Sequence, residues 1–575
     1  MNLKNIIVIY SIIVYCHTAV LSQRYDYNWI FGYDGGVGDE NWGNIQLNFS
    51  KGNPVATYIP EGRINLFDCN ASISSASGEL LYYTNGYDLY DKKHQIIPKA
   101  LVHGPEYWPG LFLTQGAIFL PSPTDTNQIY LIYGNKEKHG TDFFVDSISY
   151  LIIDSKLNKI IKKDKLLQQR TNEGFMSACR HANGRDWWMI FQVANSDRFL
   201  KYILEPNGFR LVEDWKSGFI IPDGIGSAIF SPDGRYLLFV EGLRFGQNGC
   251  ALFLCTFDRA SAKIEFLHTN IYDAPGFEGI SFSPNSKYIY FSDGSRMFQM
   301  DFIKERHLEN IVFLDTVIEH IDIGSNYFVH QSAPDGRIYV CTIPPSHILH
   351  KIDEPNKAGL ECGMRTNGYR LKVYSGGIPN FPNYRLGPID GSESDSLDID
   401  NIPVAEFRYD QDTINYRSID FTNLSWYEPE EFWWDWGDGS QPYYTTVWDT
   451  SIIHTYVKDG IYEVCLRAKN KNGESTKCKK INIGTTATKD EANNPLIDIT
   501  LSPNPMREIL IIQVNDYLPE KMIMNLYDLI GNKITTKRLY EGSNIINTES
   551  FSKGVYIVEI IERDKIVTSE KIVKI

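Results

Sequence analysis

Few residues in this chain are placed to do chemistry. Asp435 and Asp438 stand three apart in Trp433-Trp434-Asp435-Trp436-Gly437-Asp438-Gly439, close enough for paired-carboxylate acid and base work. An Asp-Gly turn more often closes its carboxylate onto its own backbone amides, and that structural role is the one expected. His181, Arg185 and Asp186 cluster before Trp187-Trp188 and could bind a polar ligand from a channel wall. The plainer expectation is a turn between two strands around a satisfied histidine. Asp390, Glu393, Asp395, Asp398 and Asp400 are spaced by serines in DGSESDSLDID. Hard cations want clustered carboxylates, so calcium is one reading. No glycine stands where a twelve-residue calcium loop needs its turn, and a solvated linker is preferred. Tyr107, Trp108 and Trp448 could stack on sugars, although most aromatics of a strand-rich chain are core. No HExxH, P-loop, GxSxG or zinc-binding Cys/His set occurs, and the glycine-rich Gly32–Gly43 lacks the dinucleotide spacing. Acid pairs for glycoside hydrolysis cannot be chosen here, because the criterion is a separation in space. No catalytic residue and no cofactor is therefore assigned, calcium remaining the weak exception.

The elements that must position such residues are strands. The chain has 575 residues, which at roughly 100–200 per domain means several domains. Its 56 basic and 71 acidic residues give a formal charge of −15, against the positive field a nucleic acid requires. Tyr (35), Phe (30) and Gly (44) suit strands joined by tight turns. No stretch after the N-terminus approaches the roughly 18 apolar residues of a membrane span.

A repeat of about fifty residues fills the middle. A turn residue followed by a Tyr-, Leu- and Ile-rich run recurs at 78, 127, 184, 234, 286 and 336, in steps of 49, 57, 50, 52 and 50. The turn is clearest in Ser231-Pro232-Asp233-Gly234, Ser283-Pro284-Asn285-Ser286 and Ala333-Pro334-Asp335-Gly336, where proline presets φ and the next residues make the corner. A four-stranded antiparallel sheet of that length leaves a hydrophobic face exposed unless copies pack radially, so a β-propeller is predicted over 23–388. Six anchors imply at least six blades, and seven is the number expected, with six or eight open. A further blade closed by strands from both ends would make seven. The region resembles the N-terminal propeller-like part of Bacteroidota surface proteins, through Ser77 to Gly86, Gln115 to Ile118, Arg180 to Trp188 and Gly377-Ile378-Pro379-Asn380-Phe381-Pro382-Asn383-Tyr384-Arg385-Leu386-Gly387. That resemblance implies a fold and a setting, with no chemistry.

After the acidic linker 389–402, strands resume over 403–485. Trp434 and Trp436 must share one face of a strand, Asp435 the other, with Gly437-Asp438-Gly439 as the turn. This segment resembles a polycystic-kidney-disease-type (PKD) domain, an immunoglobulin-like β-sandwich, with Trp436 where Phe is commoner. Cys465 and Cys478 flank the turn Asn470–Gly473, and a hairpin would set them opposite one another within disulfide reach.

The ends read as addresses. Lys4, the apolar run Ile6–Tyr15, and small residues at Val20 and Ser22 predict an export signal over 1–22. Export leaves eight cysteines in an oxidising compartment, enough for up to four disulfides. Following a linker at 486–495, residues 496–575 carry Pro503-Asn504-Pro505, Tyr527-Asp528-Leu529-Ile530-Gly531 and Lys553-Gly554-Val555-Tyr556, all on short apolar runs of a small β-sandwich. They resemble the type A C-terminal sorting domain of the type IX secretion system. The resemblance implies passage through the outer membrane, that secretion machinery as a partner, and a secreted or surface location. The expectation is an all-β, exported protein, leaning non-enzymatic, that binds a glycan or protein ligand. The alternative is a secreted hydrolase or lyase with its site in the propeller channel, to be favoured by three or more acidic, His or Arg side chains converging at the channel mouth.

Overall fold

The computed structural model describes residues 23–575 except 34–41, 61–63, 99, 101–109, 112, 141, 244–249, 273–278, 303–310, 317–325, 344, 413–414, 449–450, 485–497, 504, 516–521, 529–530, 541 and 563–564. The export signal at 1–22, most of the glycine-rich stretch, Tyr107, Trp108 and the linker 486–495 lie outside the described residues.

Seven antiparallel sheets follow one another among the described residues, each in sequential strand order. The first blade is Asn28–Tyr33, Gly43–Asn48 and Val55–Ile59, and the second is Ala71–Ser74, Leu80–Thr84 and Leu89–Asp91. Four-stranded blades follow. The third runs from Ala117–Pro121 to Lys159–Leu167, the fourth from Ala178–Arg180 to Gly208–Ile221, and the fifth from Gly224–Phe230 to Ile264–Tyr272. The sixth runs from Gly279–Phe282 to Val312–Thr316 and the seventh from Asn326–Ser332 to Met364–Ser375.

The cores lie between blades, which is what makes the sheets radiate from an axis. In the fifth blade Leu237 and Phe239 pack toward the fourth, while Leu238 and Val240 pack toward the sixth. In the sixth, Ile289 and Phe291 face the fifth, and Tyr288 and Tyr290 face the seventh. Successive side chains of a strand point to opposite faces, so unbroken apolar runs are those buried on both. The ring returns on itself where Tyr339 of the seventh blade meets Trp29 and Phe49 of the first, at ring-centroid distances of 5.7 and 6.1 Å.

The six repeat anchors are the first hairpins of blades two to seven. Gly234, Ser286 and Gly336 sit at φ 71°, 54° and 79°, and their amides bond to Ser231, Ser283 and Ala333 carbonyls three residues back. A left-handed residue is what this corner demands. In the first blade the connection between Tyr33 and Gly43 carries no such motif, which is why only six anchors were visible.

The expected closure by strands from both ends is not the one found. The first blade is wholly N-terminal and the seventh wholly C-terminal. After Ser375 the chain reads Gly-Gly-Ile-Pro-Asn-Phe-Pro, and prolines cannot supply a ladder. This strap, residues 376–389, instead crosses the inner strands of the ring. Asn380 donates to the Ala117 and Met176 carbonyls at 3.0 and 2.8 Å, and Tyr384 donates to Phe119 at 2.8 Å. Phe381 and Tyr384 are buried among Trp29, Trp187 and Tyr25.

The second domain is a sandwich of two sheets. One holds Phe407–Gln411, Ser418–Asn423 and Ser451–Thr455; the other holds Tyr443–Thr445, Glu431–Asp435, Gly460–Asn470 and Gly473–Ile483. Trp434 and Trp436 are buried and stacked at 5.7 Å, whereas Asp435 points outward. Cys465 and Cys478 face each other in register and form a disulfide. Cys69, Cys179, Cys255 and Cys362 are buried thiols, so these four lie outside the wider disulfide set that an oxidising compartment permits. A third domain, Asp498–Lys574, packs two sheets around Leu510, Ile512, Met524, Leu526, Val558 and Ile560. Among the described residues no helix is long and apolar enough to cross a membrane.

Candidate functional site between propeller and sandwich

The sandwich is docked on the propeller rather than spaced from it. Arg408, 1% exposed, donates to the carbonyls of Asp335 (2.7 Å) and Asp353 (3.2 Å) and pairs with Glu354 (2.6 Å) and Asp410 (2.9 Å). Arg337 of the seventh blade reaches Asp335, Asp353 and Asp410. Burial opposes the Asp410 charge, but Arg337 and Arg408 overcome it and hold the carboxyl down at about 2. Beside this network Glu406 accepts from Arg24 at 3.1 Å and pairs with Lys479 at 2.9 Å. Residues 389–402 are largely exposed, as a solvated linker would be, yet both ends are pinned. Asn472 donates to Asp390, and Asn401 donates to the Pro388 carbonyl.

Docking encloses a cavity of about 810 Å³. Three walls are the repeat turns of blades five, six and seven, contributing Pro232, Pro284 and Pro334 with their neighbours. A fourth is the strap from Asn380 to Ile389, which occupies the side toward the earlier blades. The roof is the sandwich loop Leu424–Pro429 with Trp448. Tyr427 and Glu428 of that loop are consecutive left-handed residues, at φ 68° and 52°, a conformation costing roughly 1–2 kcal/mol per side chain. The Asn470 amide holds them by donating to the Tyr427 and Glu428 carbonyls at 3.2 and 3.4 Å, and to Asn401 at 2.6 Å.

Eight acidic, basic or imidazole side chains line this space: Asp26, Asp233, Arg235, Asp258, Arg259, His330, Arg385 and Glu428. Most are committed to the framework. Arg385 forks onto Asp26 at 2.8 and 2.5 Å. Arg259 donates to the carbonyls of Arg180, His181 and Gly387. Asp233 accepts from the Ser231 hydroxyl and Arg235 amide, and Asp258 from Ser261 and the Ala260 amide. His330 lies between Ser292 (2.9 Å) and Ser281 (3.4 Å); burial, aided by His350, drives it down to about 3, so it is neutral at ordinary pH. Glu428 is pushed up by burial and then by Asp390, and has no hydrogen-bond or ion-pair partner among the described residues.

Of the residues singled out in the sequence for their chemistry that are described, only Trp448 lines this cavity. His181, Arg185 and Asp186 form the first hairpin of the fourth blade and do not line the cavity. His181 accepts the Asn183 amide and meets the Ala260 carbonyl, while Arg185 pairs with Asp186 at 2.7 Å. Asp435 accepts the Gly437 amide at 3.0 Å. Asp438 accepts the Ser440 amide and hydroxyl and the His454 ring, and is held at about 2 because those bonds outweigh its burial. Gly437 and Gly439 shape that turn at φ 74° and 82°. Trp448 is half-buried and donates to the Ser425 carbonyl at 2.7 Å. No group of three or more His, Cys, Asp or Glu among the described residues is arranged to hold a metal ion. The cavity itself was missed. Its signal was the thrice-repeated Pro-Asp/Asn corner, visible as a turn but not as a wall.

Comparison with known proteins fits this division. Residues 401–484 match the PKD domain family, and residues 500–575 match the secretion system C-terminal sorting domain family. No curated protein matches. Among solved structures, a putative 6-phosphogluconolactonase from Bacteroides uniformis is 12% identical, with 61% of this chain and 98% of that one covered and a TM-score of 0.37. The periplasmic gluconolactonase PpgL of Pseudomonas aeruginosa is 12% identical over 62% and 98%, with TM-score 0.38. The Dos1 propeller is 9% identical over 62% and 85%, also at 0.38. Likenesses this distant carry neither an activity nor an argument about this chain, whose architecture rests on its own sheets. The chain is thus a β-propeller protein with a PKD domain and a type IX sorting domain. The sorting domain makes it a client of the type IX secretion machinery, secreted or held at the outer surface.

Proposed function

We propose that this is a non-enzymatic exported recognition protein that binds a glycan or protein ligand in the cavity between propeller and sandwich. The observation that carries the reading is the cavity itself: about 810 Å³, within the usual 300–1,000 Å³ of small-ligand sites, and built jointly by two domains and the strap. Its ion pairs and its neutral His330 are committed to structure, so a ligand meets few groups able to move a proton. The test is binding of the full chain to glycan and protein arrays, with and without Trp448→Ala. Ligand capture without turnover, weakened by the substitution, supports the reading. Turnover of a polysaccharide or peptide, abolished by substitution of one cavity acid, overturns it.

A second reading, a hydrolase or lyase, is favoured by one observation: eight charged or imidazole side chains converge where three would suffice. Glu428, without a partner among the described residues and poised above its ordinary range, would be its acid. Glu428→Gln abolishing a hydrolytic activity would establish it.

A further inference from the structure

The class of ligand follows from which groups in the cavity remain unspent, and the argument rests on the recognition reading above. We propose that the occupant is a short neutral oligosaccharide. The cations that would draw an anion inward are engaged: Arg385 by Asp26, Arg259 by three backbone carbonyls, and His330 by two serines. The acids that would draw a cation, Asp233 and Asp258, are closed onto their own turns. Among the described residues, four of the remaining side chains carry the argument. Glu428 and the Ser177 hydroxyl have no hydrogen-bond partner among the described residues. Gln331 spends one amide N–H on the Ser332 carbonyl and keeps its other N–H and its carbonyl oxygen for the cavity. Arg235 is 79% exposed, with Asp233 4.0 Å away.

These four comprise an acceptor (Glu428), a donor (Arg235) and two groups that are both (Gln331 and the Ser177 hydroxyl), with one charge of each sign. A ligand of net charge would set one rim charge against its like. A peptide brings a single N–H and a single C=O per residue at fixed spacing and spends its side chains elsewhere, so it meets fewer of the four at once. Sugar hydroxyls donate and accept at once and satisfy each. The rings of Phe230, Tyr427 and Trp448, with the prolines of the repeat turns, supply the flat apolar surfaces on which pyranose C–H faces lie.

The experiment titrates the full chain, by calorimetry and tryptophan fluorescence, with maltotriose, cellotriose, xylotriose and tri-N-acetylchitotriose, with a trigalacturonate, and with tripeptides. At least one neutral trisaccharide is expected to bind, its affinity changing less than about twofold between roughly 50 and 500 mM NaCl. Trp448→Ala and Gln331→Ala should each weaken it about tenfold or more, while Tyr444→Ala, on the outward face of the sandwich, should not. Thermal melts show whether each variant is folded, and Gln331→Ala removes no buried ring. Failure of all four neutral sugars overturns the proposal. Binding of the galacturonate or a tripeptide, sensitive to the same two variants, overturns the sugar class while leaving the recognition site standing. Neutral-sugar binding that neither cavity variant weakens places the ligand elsewhere and overturns both.

Discussion

Arg337 of the seventh blade and Asp410 of the sandwich form an ion pair of 2.7 Å across the domain boundary, with Arg337 only 6% exposed. The pair belongs to a network with Asp335, Asp353, Glu354 and Arg408 that ties the seventh blade to the sandwich that follows it in the chain. Removing one member leaves others buried and uncompensated. Arg408→Ala is expected to cost about 3–5 kcal/mol in chemical denaturation of the full chain, whereas a surface pair such as Arg198–Asp214 is expected to cost about 1 kcal/mol or less.

The same network sets an acid limit. Asp410 is held at about 2 in the folded chain, below its unfolded value of about 3.9. Its contribution is therefore fully present above about pH 4 and is lost as pH falls toward 2. Proteolytic cleavage within 389–402 should accelerate over that window and not between pH 5 and 8. Asp410→Asn should weaken docking at neutral pH and flatten the dependence.

The strap gives a third expectation. Asn380→Ala frees the Ala117 and Met176 carbonyls in a buried setting, and about 2–4 kcal/mol of stability should go with the two bonds. Tyr384→Phe removes only the hydroxyl that reaches Phe119 and should cost about 1 kcal/mol. Thermal melts of the two variants order them.

Within the sandwich, Trp434→Ala should cost about 3–5 kcal/mol, since the indole is fully buried between Phe407, Phe421 and Trp436. Reduction of Cys465–Cys478, which closes a loop of 13 residues, should cost about 3 kcal/mol and lower the sandwich transition under dithiothreitol.

How much of this was legible depended on whether a feature is local. The Pro-Asp-Gly corners, the Trp-Asp-Trp strand and the Cys465–Cys478 hairpin are set by neighbours in sequence, and each stands where its spacing put it. The period-two division of Leu237 and Leu238 between two inter-blade cores is local too. What could not be read is what pairs over hundreds of positions. Arg385 meets Asp26 at a separation of 359 residues, and Arg24 meets Glu406 at 382. The linker's composition describes its solvation and says nothing of what grips its ends. Hence nothing in the sequence placed the sandwich against the propeller, and the cavity it roofs was invisible. His181, Arg185 and Asp186 drew attention for their chemistry, but three polar residues beside Asn183-Gly184 are also what a hairpin corner consumes.

A ring whose seventh blade shares no strand with its first can gape at that seam like a split washer. Here the peptide threaded through the hub ties opposite sectors together as a spoke does. The propeller keeps its shape by being laced across the middle as well as packed at the rim.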